Sequence, residues 1–95
     1  MKQEPQFFEG RDARLLYIGR RLNDALALET LLTESGVDYG VEADTYRGGV
    51  IFKNDRIGAF FYVLPERLEH ARELLVQNGY VPAPDEERLP AIGKA

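Results

Sequence analysis

The residues with the clearest chemistry are basic, and they cluster with glycines in two stretches. Gly19, Arg20 and Arg21 make the first; Arg47, Gly48, Gly49, Lys53 and Arg56 lie in the second. Only Asp55 opposes them there. Basic side chains beside backbone that can approach a ligand closely suit an anion: a phosphate, a nucleotide or an acidic peptide. The opposing reading is that five bases on two loops are simply a solvated surface. Neither phosphate-loop signature is present, whether Gly-x-x-x-x-Gly-Lys or Gly-x-Gly-x-x-Gly.

Other chemistries lack their parts. The chain of 95 residues has no cysteine and one histidine, so disulfides, thiolate catalysis and a two-histidine metal site are excluded. His70 stands among Glu66, Glu69 and Glu73 on a charged stretch, which reads as a solvated helix face. Ser35 is the only serine and ends a different helix, so no nucleophile–base pair forms. No enzyme, metal or cofactor is expected. The formal charge is −4, from twelve Lys and Arg against sixteen Asp and Glu, a poor match to nucleic acid. Residues 22–44 carry six acids (Asp24, Glu29, Glu34, Asp38, Glu42, Asp44) and no base. No apolar run reaches the length of a membrane span, and Met1-Lys2-Gln3-Glu4-Pro5 lacks a signal-peptide stretch. A soluble, cytoplasmic domain with 44% hydrophobic residues is the expectation.

The elements that must position these residues follow from periodicity. Residues 1–12 are polar apart from Phe7 and Phe8 and read as a flexible arm, with the Phe pair able to pack back. Arg14-Leu-Leu-Tyr-Ile-Gly19 reads as a central strand, apolar on both faces. Asn23 or Asp24 caps a helix whose buried side is Ala25, Leu28, Leu31, Leu32 and Ser35, ended by Gly36. Val37, Tyr39, Val41 and Ala43 alternate with polar residues, the period of a half-buried strand. Thr45 to Ile57 is a connection, either an extension of the sheet or a folded loop, with Asn54-Asp55 as a turn signal. Gly58 to Leu64 is a second strand apolar on both faces. Pro65 opens a second helix striped by Leu68, Ala71, Leu74 and Leu75 and ended at Asn78-Gly79. Tyr80 and Val81 add a short edge strand, and 82–95 is an extended tail.

This order, βαββα(β) over residues 13–81, predicts an α+β ferredoxin-like two-layer sandwich: an antiparallel sheet with two helices on one face. In that topology both basic loops and the end of the second helix share one end of the domain. The first helix aims its N-terminus there.

The sheet's other face raises a separate question. Strict alternation leaves Tyr17, Phe60 and Tyr62 among the aromatic residues available to it. A monomer rarely exposes such a patch. A homodimer through that face is the expected solution; the arm, the tail or a bound partner are the alternatives. Arg56 to Val63 also faintly resembles the aromatic strand of RNA-recognition motifs, in a shifted register. The acidic balance weighs against that reading.

The run Ala25-Leu26-Ala27-Leu28-Glu29-Thr30-Leu31-Leu32-Thr33-Glu34-Ser35-Gly36-Val37 is followed by a strand, a Gly-rich loop and an aromatic strand. Then comes Pro65-Glu66-Arg67-Leu68-Glu69-His70-Ala71-Arg72-Glu73-Leu74-Leu75. Together these resemble a small bacterial family of unknown function described as prokaryotic signal-transducing proteins. Val63-Leu64-Pro65-Glu66 matches its second-helix entry with one inserted residue. The resemblance covers residues 14–79, rests on packing motifs, and departs after Pro82. It implies a ferredoxin-like domain similar in outline to PII signal proteins, in which the long hairpin loop is the functional one, and no catalytic residue carries over. The resulting expectation is a non-enzymatic regulatory or adaptor domain that binds a small anionic ligand or a protein partner at its basic end. A purely structural interaction module is the alternative.

Overall fold

A computed structural model of the chain describes residues 1–48 and 54–87. A 3-10 turn at Pro5–Phe8 precedes strand β1 (Arg14–Gly19), helix α1 (Leu22–Glu34), strands β2 (Tyr39–Gly48) and β3 (Asn54–Val63), and helix α2 (Pro65–Gln77). The three strands form one antiparallel sheet in the order β1-β3-β2. The fold is α+β, with both helices packed on one face of the sheet.

The helix boundaries follow local chemistry. Pro65 opens α2 where a missing N–H costs nothing. Gly36 and Gly79 follow the two helices with φ of 72° and 83°, a conformation that glycine adopts without strain. The start of α1 differs from expectation. The helix begins at Leu22 with Arg21 as its extended N-cap residue, and neither Asn23 nor Asp24 caps it. The main core joins Ala25, Leu28 and Leu32 of α1 and Ala71 and Leu75 of α2 to Leu16, Phe61 and Val63 of the sheet.

The pairing of β1 with β3 slips by one residue. Leu15 faces Tyr62 and Tyr17 faces Phe61, so Leu16 is the extra residue of a bulge. Both Leu16 and Tyr17 therefore pack on the helix side, while Leu15 and Ile18 join Phe60 on the other. This corrects the expected face of Tyr17: alternation assumed an unbroken pleat.

Of the stretch Thr45 to Ile57, the described residues, 45–48 and 54–57, extend the sheet. The β2–β3 ladder runs from Tyr39↔Val63 to Gly48↔Asn54, whereas β1 stops at Gly19↔Ala59. A two-stranded ribbon thus projects five rungs past β1, roughly 17 Å at the usual rise per residue. Asn54 and Asp55 are strand residues, not a turn.

The termini depart most from expectation. The predicted flexible arm lies on the sheet. Gln3 N–H donates to Tyr39 O at 2.8 Å, Tyr39 N–H to Met1 O at 3.1 Å, and Lys2 pairs with Tyr39 in a parallel bridge. Phe8, 1% exposed, sets its ring edge-on to Tyr62 at 4.7 Å. At the other end, Tyr80 and Val81 form no strand. The chain instead follows the outer edge of β1: Ala83 N–H donates to Leu16 O at 2.8 Å, and Leu15 N–H to Glu86 O at 2.9 Å. Arg14 binds Asp85 at 2.9 Å and pairs with Glu87 in an antiparallel bridge. Ala83 is buried against Leu15 and Phe60. Phe8 and Ala83 between them close the sheet face away from the helices, leaving Phe60 at 7% and Tyr62 at 0% exposure. Phe60 and Tyr62 are thus covered within the chain and offer no open aromatic face for a face-to-face dimer or for base stacking.

Candidate functional site

The end of β1 meets α1 and the exit of α2 at a cleft of about 600 Å³. One wall is Tyr17, Ile18 and Arg20 of β1 and its loop, with Asp24 from the first turn of α1. The opposite wall is Asn78 and Gly79, then Tyr80 to Pro84 as the chain swings toward β1. This wall is held in place: Arg72 Nη1 donates to Ala83 O at 2.6 Å, and Ala83 N–H donates to Leu16 O.

Aromatic rings run from the cleft across the helix face of the sheet. Tyr80 meets Tyr17 edge-on at 5.5 Å; Tyr17 meets Phe61 at 6.2 Å; Phe61 stacks on Tyr39 at 6.0 Å. Burial, chiefly, raises the Tyr17 hydroxyl above its ordinary pKa of 10.0. Asp24 and Tyr80 push it the same way, and Arg20 pulls it down. At the far end of the row, burial also raises the Tyr39 hydroxyl above 10.0. A hydrogen bond from Thr33 works against this and the Glu29 carboxylate adds to it. That hydroxyl lies 3.3 Å from Glu29 O, Glu29 Oε1 and Thr33 Oγ1.

The predicted basic residues divide. Arg20 and Arg21 are exposed where β1 passes into α1, and Arg20 lines the cleft. The exit of α2 does arrive at this end, as the topology required. Arg56, exposed, lies three residues beyond Ala59 on the ribbon, roughly 10 Å farther along the strand. Arg47 pairs with Asp55 and Gly48 with Asn54 near the ribbon's far end, and Gly49 and Lys53 fall outside the described residues. The two loops therefore do not converge on one pocket through the described residues.

Gly19 has another role than the one expected of it. It is buried, and a Cβ there would stand 3.2 Å from the Ala25 Cβ and 3.7 Å from the Ala59 Cβ. Its missing side chain lets the first turn of α1 press on the sheet, not a ligand on the backbone. Tyr17, expected on a dimer face, lines the cleft. Its neighbours Tyr80, Pro82 and Pro84 escaped sequence reasoning because nothing local shows that a tail turns back; the run Tyr80-Val81-Pro82-Ala83-Pro84 was the available signal. His70, on α2, and Ser35, the residue that caps the end of α1, are both exposed. Among the described residues no group of three His, Cys, Asp or Glu is placed to hold a metal, and no helix is long and apolar enough to cross a membrane. Comparison with protein-family models, with curated proteins and with solved structures finds no match to this chain.

Proposed function

We propose that this chain is a small non-enzymatic regulatory domain that binds a charged small molecule in the cleft between the end of β1 and the segment Tyr80–Pro84. The observation that carries this reading is the cleft itself. At about 600 Å³ it falls in the range of small-molecule sites, and it combines an arginine with aromatic walls. Its outer wall is a tail held to β1 and α2 by a few hydrogen bonds. A ligand touching both walls ties that tail to the sheet, and this is how occupancy becomes a signal. The resemblance to signal-transducing proteins agrees with such a role. We further propose the ferredoxin-like plan: strand order β1-β3-β2 leaves the outer edge of β1 for a fourth strand, and residues 83–87 lie along that edge.

A thermal-shift panel of nucleotides, phosphorylated metabolites, amino acids and acidic peptides at low salt tests the reading. A ligand at 100 times its Kd adds about 2.7 kcal/mol, which in a domain this size moves Tm by roughly 10 °C or more. The shift disappears in Arg20→Glu if the cleft is the site. A panel without any shift refutes binding by those classes.

The adaptor reading has its own observation. Leu22 (73% exposed) and Leu26 on α1, and Ile57 (74%) at the base of the ribbon, are large apolar side chains near the same end of the domain. Replacing all three by Ser abolishes partner capture under the adaptor reading and leaves ligand shifts intact under the first.

A further inference from the structure

The two outer edges of the sheet are finished differently. Residues 83–87 run along the outer edge of β1, whereas residues 1–3 meet β2 only at Tyr39. Tyr39 turns its C=O and N–H outward to Gln3 N–H and Met1 O. Strand alternation turns those of Val41 and Ala43 outward as well, and neither residue's outward groups have a backbone partner among the described residues. Next in the row, Thr45 N–H donates to the Asp44 carboxylate at 2.8 Å. We propose that a second copy of this chain adds to this edge, β2 against β2 in antiparallel register about a two-fold axis, with Leu22 and Leu26 of each copy covering the added strand. The inference is independent of the cleft.

An open edge is ordinarily blunted by proline, lysine or a bulge. Tyr39–Gly48 contains neither residue, and its ladder with β3 runs without a slip from Tyr39↔Val63 to Gly48↔Asn54. Beside that edge lies an apolar stripe. Leu22, Leu26, Glu29 and Thr33 share one side of α1 by their spacing. Glu29 and Thr33 touch the Tyr39 hydroxyl, so that side looks onto β2. Because α1 runs back from the end of β1 to the start of β2, Leu26 and Leu22 come level with the next rungs, Val41 and Ala43. Both leucines are exposed. The arm and the charges then select the register. An axis at Ala43 would run the added strand onto the occupied Tyr39 rung and set Glu42 opposite Asp44, and an axis at Asp44 would set that carboxylate opposite its own copy; like charges so placed destabilise a sheet. An axis at Thr45 avoids both: Asp44 then faces Tyr46, Glu42 faces Gly48 and Ala43 faces Arg47 across the seam. Since residues 83–87 occupy the other edge of the sheet, the pairing closes as a dimer and does not grow into a fibre.

Sedimentation equilibrium and amide hydrogen exchange on the full chain over a range of concentrations test this. A monomer–dimer equilibrium is expected, with the Val41 and Ala43 amides exchanging quickly when dilute and becoming protected as the dimer fills. Ala43→Pro removes an outward N–H without breaking a β2–β3 bond, and Ala43→Lys sets a like charge opposite Arg47. Each weakens dimerisation at least about tenfold, as does Leu22→Ser with Leu26→Ser, while circular dichroism shows a folded chain. The Lys and Ser variants carry the test if proline unsettles the strand. A monomer at concentrations on the order of 1 mM overturns the proposal. So does a dimer that Ala43→Lys and the Ser pair both leave at full strength, since it uses another face. Val41 and Ala43 amides equally protected in the dilute monomer also overturn it, because the chain then covers its own edge. Assemblies larger than a dimer overturn the two-fold pairing.

Discussion

Gly40 is the second residue of β2, directly opposite Tyr62 on β3. Secondary-structure propensity alone says Gly40→Ala stabilises, because glycine within a strand costs about 0.5–1 kcal/mol relative to alanine. The structure says the opposite. A Cβ at Gly40 would lie 2.4 Å from both Cε2 and Cζ of Tyr62 and 2.6 Å from its hydroxyl oxygen. That is short of ordinary carbon contact by about 1 Å. The ring has little room to retreat: Tyr62 is 0% exposed, and Phe8 packs against it edge-on at 4.7 Å. Overpacking of this kind costs about 1–3 kcal/mol, and a wedged aromatic ring belongs at the upper end. Subtracting the propensity gain leaves a net loss of about 2 kcal/mol, a Tm drop of roughly 8–16 °C. Urea and thermal unfolding followed by circular dichroism measure it. The companion experiment repeats Gly40→Ala in a Tyr62→Leu background, where the ring is gone and the substitution becomes neutral or mildly stabilising. The two changes are in contact, so their effects are strongly non-additive. A Gly40→Ala protein whose Tm is unchanged or raised refutes the packing of Tyr62 across β2.

Phe8→Ala should cost about 3–5 kcal/mol, the range for a buried phenylalanine, whereas a flexible arm predicts almost no change on denaturant unfolding. Tyr39→Phe should lose about 0.5–1 kcal/mol at neutral pH, since its contacts are long at 3.3 Å. Its pH dependence has a definite sign. The folded pKa is raised above 10.0, so the unfolded chain releases the proton first. This stability is fully present below about pH 10 and is lost as pH rises through the folded value; Tyr39→Phe flattens that fall in part, with Tyr17 supplying the rest. Identical alkaline slopes for the two proteins would count against it. Ala83→Pro removes the N–H that binds Leu16 O, and should cost about 1–3 kcal/mol while speeding hydrogen exchange at the Leu15 amide, whose acceptor is Glu86 O. Unchanged Leu15 protection would mean the tail is not held through Ala83.

Much of the frame was legible because its signals are local. β1 runs over Arg14–Gly19 as its apolar run and terminal glycine require, and α2 occupies Pro65–Gln77 between its proline and Asn78-Gly79. The stripes Ala25–Leu28–Leu32 and Ala71–Leu75 face the core as helical spacing dictates. The site was legible only in outline. The meeting of the β1–α1 loop with the end of α2 follows from topology, and Arg20 was identified with it. Arg47 and Arg56 stand on rungs beyond the end of β1, because residues 44–48 and 54–58 pair as strands there, whereas Arg20 lies at the β1–α1 junction.

What the sequence by itself determined was the set of elements, their order and their buried stripes, since backbone propensity and side-chain period act over a few residues at a time. Only the tertiary structure decided the rest. The bulge at Leu16 exists because β1 must match β3, and it moved Tyr17 from the expected face into the cleft. Gly19 and Gly40 are small because Ala25 and Tyr62 press on them from elsewhere in the chain. Phe8 and Ala83 cover the sheet because aromatic surface left in water is costly and these residues are within reach. Such facts depend on pairs of residues far apart in the chain, and no local pattern encodes a pair.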